Sequence, residues 1–143
     1  MSVRVLTFDE LDARTAYDVW RLRQDVFVVE QRCPYPDLDG RDLEPSTRHL
    51  VLPGEDGELL GYLRILDDGS RARIGRVVLT PRVRGHGLAD ILVQAALVET
   101  RGREVVLDAQ TPLRRWYSTF GFEVAGPEFL EDGIPHVPMV KRA

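Results

Sequence analysis

The chain has 143 residues, 43% hydrophobic and 29% charged, with a formal net charge of −4. That length supports one domain, residues 1–143, with a core of its own, and the composition excludes a disordered chain. The negative charge gives no electrostatic ground for a nucleic acid or an anionic membrane as partner, no apolar run reaches the ~18 residues of a membrane span, and the single cysteine, Cys33, excludes a disulfide framework and a multi-cysteine zinc site.

A protein of the reducing cytoplasm, with no metal, is therefore expected. Lys141 is the single lysine, and the other strongly basic residues are arginines. Arginine stays protonated and serves neither as a practical general base nor as a Schiff-base amine, so covalent catalysis through lysine is not expected.

Val3–Phe8 reads as a short strand. Asp9 offers an N-cap, and a helical apolar stripe follows to about Val29, carried by Leu11, Tyr17, Val19, Trp20, Leu22, Val26 and Phe27. Cys33–Thr47 is rich in proline and acidic residues and reads as a long loop, of a length that is often functional. Arg48–Pro53, Leu59–Leu66 and Arg71–Leu79 are strands of an antiparallel meander, joined by turns at Gly54–Glu58 and Asp67–Ser70. A second helix is expected over Gly85–Arg101, ended by Gly102, and Glu104–Ala109 is an apolar strand beyond it. Strand, helix and strand make one βαβ unit, whose two strands should be parallel with a right-handed crossover. A short helix follows from Thr111 or Pro112 to about Thr119, then strands at Phe122–Val124 and, after the turn Glu131–Gly133, at Ile134–Lys141. The expected fold class is mixed α/β (α+β): a central twisted sheet flanked by helices, with an N-terminal antiparallel meander and one βαβ unit.

Within that unit Val77–Ala89 reads VVLTPRVRGHGLA. A strand runs through an Arg- and Gly-rich loop into a helix start, where unpaired N–H groups and the helix dipole suit a pyrophosphate. A dinucleotide-binding turn is disfavoured: Asp90 stands where the third glycine or alanine belongs, Thr80–Arg84 is too long for the tight turn, and only one βαβ unit is available.

Arg84-x-x-Gly87-x-Ala89 resembles the acetyl-coenzyme A signature of the GNAT superfamily of N-acetyltransferases. WYSTFGF (Trp116–Phe122) is similar to the Tyr…Gly-Phe segment on that superfamily's last helix. Leu22–Leu50, Ile74–Leu79 and Glu131–His136 resemble its ElaA-like branch more narrowly. The resemblance implies acetyl-CoA as cosubstrate, held where the fourth and fifth strands splay apart. Backbone groups of Val77, Val78 and Leu79 would then bind pantetheine and polarise the thioester. Arg84, Gly85, His86, Gly87, Leu88 and Ala89 would hold the pyrophosphate, with Gln110 replacing a frequent asparagine. Tyr117 would give a proton to the departing thiolate; it could instead simply pack its helix on the sheet.

Amine acylation also needs the amine to lose its proton. Glu30, Asp39, His49, Asp108 and His136 are all candidates, Glu30 being the family-like choice and His49 the residue type suited to neutral pH. Arg64 and Arg76 interrupt apolar strands, and alternation places Arg76 on one face with Ile74 and Val78. Both arginines either pair with Asp37, Asp39 or Glu30 and hold the long loop down, or bind an acceptor carboxylate; Asp39 and His136 complete the candidate acceptor set. The expected activity is transfer of an acetyl or other acyl group from its CoA thioester to an amine of a small molecule or peptide, by direct attack in a ternary complex. The alternatives are a non-catalytic acyl-CoA-binding regulatory module and an acetyltransferase of proteins. A homodimer is left open.

Overall fold

The computed structural model describes residues 2–143. Eight strands form one sheet: β1 (Arg4–Leu6), β2 (Arg48–Pro53), β3 (Leu59–Asp67), β4 (Arg71–Leu79), β5 (Glu104–Gln110), β6 (Glu123–Val124), β7 (Phe129–Glu131) and β8 (Ile134–Lys141). Their spatial order is β1-β2-β3-β4-β5-β8-β6, with β7 also paired to β8. The β4–β5 pair is parallel and the other pairs are antiparallel, as the meander and the βαβ unit require.

Helices cover both faces because the strands alternate their apolar residues between them. Leu50 and Leu52 of β2 and Leu63 and Ile65 of β3 pack with Leu92, Val93 and Ala96 of α2 (Leu88–Glu99). Val51 and Tyr62, one residue out of phase, pack with Val19 and Leu22 of α1 (Ala13–Arg23). A third helix, α3 (Arg114–Ser118), follows β5, and Trp116 Nε1 donates to Asp90 Oδ1 of α2 at 2.8 Å.

Several boundaries differ from the sequence reading. Asp9 does not cap the first helix. Thr7 and Glu10 close a capping box around a single 3-10 turn, Leu11 returns to an extended conformation, and Asp12 caps α1 by accepting from Thr15 N at 2.7 Å. Beyond Arg23 the chain widens into a π-helix over Gln24–Glu30, where Gln31 N donates to Val26 O and Cys33 N to Val28 O. The β-branched run Val26, Val28 and Val29, crowded in a regular α-turn, falls in this wider segment. The second helix starts at Leu88 rather than Gly85, because Gly85 and Gly87 take φ of +83° and +77°. Strand β7 was not expected; Asp132 and Gly133, both at positive φ, turn it into β8.

One irregularity shapes the centre of the sheet. Tyr62 pairs with Val78 but Arg64 pairs with Gly75, so β4 carries an extra residue, and Arg76 sits there at φ +56°. The bulge undoes simple alternation: Ile74 packs on the α2 face and Val78 on the α1 face.

A Cβ at Gly61 of β3 would lie 2.7 Å from Leu79 Cδ2, 2.9 Å from Leu92 Cδ1 and 3.2 Å from the Val78 carbonyl. Gly61→Val should cost about 1–3 kcal/mol of stability by overpacking. Gly75→Ala, with open space around its Cβ, should cost less. Urea denaturation of both variants checks the contrast.

Candidate active site

Strands β4 and β5 pair over three registers only, Arg71 with Glu104, Ala72 with Val105 and Arg73 with Val106. Beyond Arg73 they part, and a cleft of 730 Å³ opens between them. That volume suits a ligand of cofactor size. Val77, Val78 and Leu79 line the β4 wall, Leu107, Asp108 and Gln110 the β5 wall. Arg84 of the loop before α2, Ala89 of α2, Glu131 of β7, Asp132 of the β7–β8 turn and His136 of β8 also line it.

The loop before α2 has the properties of an anion cradle. Gly85, His86 and Gly87 are exposed, no side chain caps the helix, and the space over the Cα atoms of both glycines is open. These three residues and Leu88 do not line the cleft itself. Arg84 reaches across it and grips Glu30 with both arms of the guanidinium, at 2.8 and 3.0 Å. That contact holds the Glu30 carboxyl below its ordinary range. Two residues expected to have separate roles are therefore partners.

Tyr117 is 5% exposed and lines the cleft. Among the described residues no group bonds its hydroxyl. Burial raises its pKa, which keeps the phenol protonated. Gln110 Nε2 donates to Gln31 Oε1 at 3.3 Å, tying the end of β5 to the end of the π-helix.

Under the cleft floor lies a buried ionic network. Arg23, 0% exposed, donates from Nε to Asp37 Oδ2 at 2.9 Å, from Nη2 to the Asp37 carbonyl at 2.9 Å and from Nη1 to Asp42 Oδ1 at 2.7 Å. Arg64 donates to Asp42 at 3.0 Å and to both oxygens of Asp39 at 2.9 and 2.6 Å. Arg76 donates to the Asp37 carbonyl at 3.1 Å, and its Nε lies 2.8 Å from Asp37 Oδ1, an ionic contact off the hydrogen-bond direction. Tyr35 donates to the same Asp37 oxygen at 2.6 Å, and its ring lies under the Arg76 guanidinium. The hydrogen bonds from Arg64 hold Asp39 well below the usual carboxylate range. For Asp42 burial pulls upward, but Arg23 and Arg64 outweigh it and the carboxyl is lowered.

Arg64 and Arg76 both line the cleft and both pair with aspartates of the long loop, tying it to the sheet; Asp39 is engaged by Arg64 and does not line the cleft. Arg23 and Asp42 were missed as its hub. The signal was present, since Arg23 falls on the buried stripe of Val19, Leu22 and Val26 at helical spacing. His49 must be withdrawn as a base. It is 0% exposed, outside the cleft lining, with Nδ1 bonded to the Tyr62 hydroxyl at 2.6 Å and Nε2 to the Asp42 carbonyl at 3.0 Å. His136 does line the cleft, 9% exposed. Among the described residues no cluster of three or more His, Cys, Asp or Glu is arranged to hold a metal, and no helix is long and apolar enough to cross a membrane.

Comparison with known proteins gives a consistent assignment. The family model described as "Acetyltransferase (GNAT) domain" matches residues 27–143. A UPF0039 protein of Mycobacterium bovis is 47% identical over 92% of this chain and 87% of its own length. Protein ElaA of Escherichia coli is 38% identical over 95% of this chain and 93% of its own. The crystal structure of ElaA matches with a TM-score of 0.92 at 36% identity, covering 99% of each chain. That of an acyl-CoA N-acyltransferase from Pseudomonas aeruginosa matches at 0.90 and 38% identity, also covering 99% of each.

Asp42→Ala should destabilise the fold by about 3–5 kcal/mol, because it removes the buried carboxylate that Arg23 and Arg64 share and leaves Arg23 Nη1 without its partner. Stability should also fall on acidification in two steps. Burial lowers the His49 pKa, so the unfolded chain binds the extra proton, and stability is lost as pH falls below about 6.5. Asp39 and Asp42 have lowered pKa values, so their contribution is present above about pH 4 and lost below it. Urea titrations between about pH 7 and pH 3 should resolve both, and His49→Gln should flatten the upper one.

Proposed function

Since the chain belongs to the GNAT acetyltransferase family, in its ElaA-like branch, we propose that it moves an acyl group, acetyl in the simplest case, from its CoA thioester to an amine of a small molecule or peptide. The observation that carries this reading is the parting of β4 from β5 after Arg73, with a glycine cradle at one end of the opening.

A strand whose neighbour has left presents unpaired N–H and C=O groups along its edge. Val77–Leu79 is such an edge, and the amide-bearing pantetheine arm is the complement it would accept. Gly85 and Gly87, with the free N–H groups at the start of α2, suit the pyrophosphate, since each backbone there can be approached closely. Arg84 adds a guanidinium that a phosphate would contest with Glu30.

The acceptor nitrogen attacks the thioester carbonyl, and negative charge grows on the carbonyl oxygen. An N–H near Val78 or Leu79 serves as its donor. Collapse breaks the C–S bond, and the leaving thiolate takes a proton from Tyr117 Oη. No acyl-enzyme is required. The chain supplies a shared cleft, a polarising donor and a proton source, so much of the rate enhancement rests on positioning. Arg64 and Arg76 keep the cleft floor in place; being neutralised by Asp37, Asp39 and Asp42, they are poorly suited to hold an acceptor carboxylate.

Calorimetry with acetyl-CoA tests the cosubstrate. The wild type should bind, and Gly87→Trp, confirmed folded by its melting curve, should lose binding. No binding by the folded wild type would remove the reading. In an amine screen Tyr117→Phe should lower kcat by about 100-fold, within the range of general acid catalysis, with acetyl-CoA affinity unchanged. A chain that binds acetyl-CoA but acylates nothing would be a binding module instead.

A further inference from the structure

The acyl transfer proposed above leaves open which group deprotonates the acceptor. Alkylamines are ammonium ions near neutral pH and must lose a proton before they attack. Four of the five groups that the sequence offers as bases are engaged by other groups in the structure. Glu30 is paired with both arms of Arg84, which lowers its proton affinity while that pair holds, and it stands at the exposed rim. Asp39 is held in the same way by Arg64. Both His49 nitrogens are bonded, and the ring is sealed from the cleft. Asp108 faces Arg73, 3.4 Å away.

His136 differs from all of these. Its Nδ1 lies 2.7 Å from the carbonyl oxygen of Ile134, which can only accept, so Nδ1 carries the proton. In the neutral ring Nε2 is then the bare acceptor. Nε2 has the Glu131 carboxylate at 3.8 Å, too far for a hydrogen bond, so its lone pair is unspent. The ring is fixed in place: Phe129 of β7 stacks on it at 5.8 Å, and β8 pairs His136 with Gln110 on the β5 wall. His136, Gln110 and Tyr117 line one cleft. Glu131, the nearest carboxylate to Nε2, is half exposed.

We propose that His136 is the general base of the reaction, accepting the acceptor's proton at Nε2. The ammonium gives one proton to Nε2, and the imidazolium releases it to solvent. The freed lone pair forms the C–N bond as the carbonyl π pair moves to oxygen. That pair returns, the C–S bond breaks, and the thiolate takes the Tyr117 proton. The second N–H proton of the attacking nitrogen restores Tyr117. The sum is ammonium plus thioester giving amide, thiol and one proton. Imidazole is the side chain suited to this duty near neutrality.

The proposal rests on the acyl-transfer reading, and a test with two small nucleophiles separates them. Ethylamine is an ammonium ion at neutral pH; hydroxylamine is already neutral. With His136→Asn and His136→Gln, kcat/KM for ethylamine should fall about 100-fold, while that for hydroxylamine and the affinity for acetyl-CoA stay near wild type. Equal losses for both nucleophiles, or none, would overturn the base and leave acyl transfer standing. A wild type that binds acetyl-CoA yet acylates neither would overturn both. Nitrogen-15 NMR of the His136 ring needs no variant: the Nδ1–H tautomer is expected, and an Nε2–H tautomer would refute the proposal.

Discussion

Arg23 leaves α1 with no exposed surface, and a guanidinium in that position must be met by carboxylates or it costs several kcal/mol. Asp37 and Asp42 meet it, and both come from the long loop after the π-helix. Asp42 is shared with Arg64 of β3, and Asp37 with Arg76 of β4. A loop without regular strand pairing is thereby bound to a helix and two strands at once. The charges balance, three arginines against three aspartates, so the floor of the cleft is locked without adding net charge to it.

Arg76 links that lock to the opening of the sheet. It occupies the bulge of β4 at a backbone angle rare for a side-chain-bearing residue, and the loop holds its guanidinium. A bulge bends and twists the strand that carries it, and this one lies just beyond Arg73, the last residue of β4 that pairs with β5. The cleft thus opens in the sheet itself, next to the point where the loop is fastened to it.

Much of this was legible in the sequence, and the failures have physical causes. Meander, βαβ unit and last strand follow from periodicity and turn residues, which are local. The cradle at Gly85–Gly87 is legible because only glycine takes that backbone easily. The β4 bulge was not, since alternation assumes regular pairing and Arg76 alone does not announce an extra residue. Arg23 was readable from its helical phase, but which carboxylates it meets depends on how a loop folds back. Strand β7 was announced by Asp132-Gly133, a hairpin pair whose first strand is only three residues long. Residue type alone did not show that His49 is sealed in the fold while Glu30 stands at the cleft; that difference comes from their partners, Tyr62 and the Asp42 carbonyl for one and Arg84 for the other.

The one lysine of the chain bears on the durability of such a protein. Lys141 belongs to β8, and its methylene stem lies against the position a Cβ would take at Gly121, as close as 3.4 Å. Thioesters acylate exposed lysines without any catalyst, and a protein that concentrates one at its surface is the first to be modified. Here the other strongly basic side chains are guanidiniums, which stay protonated and do not react. The surface that would handle an activated acyl group is therefore nearly free of side-chain amines that the group could damage.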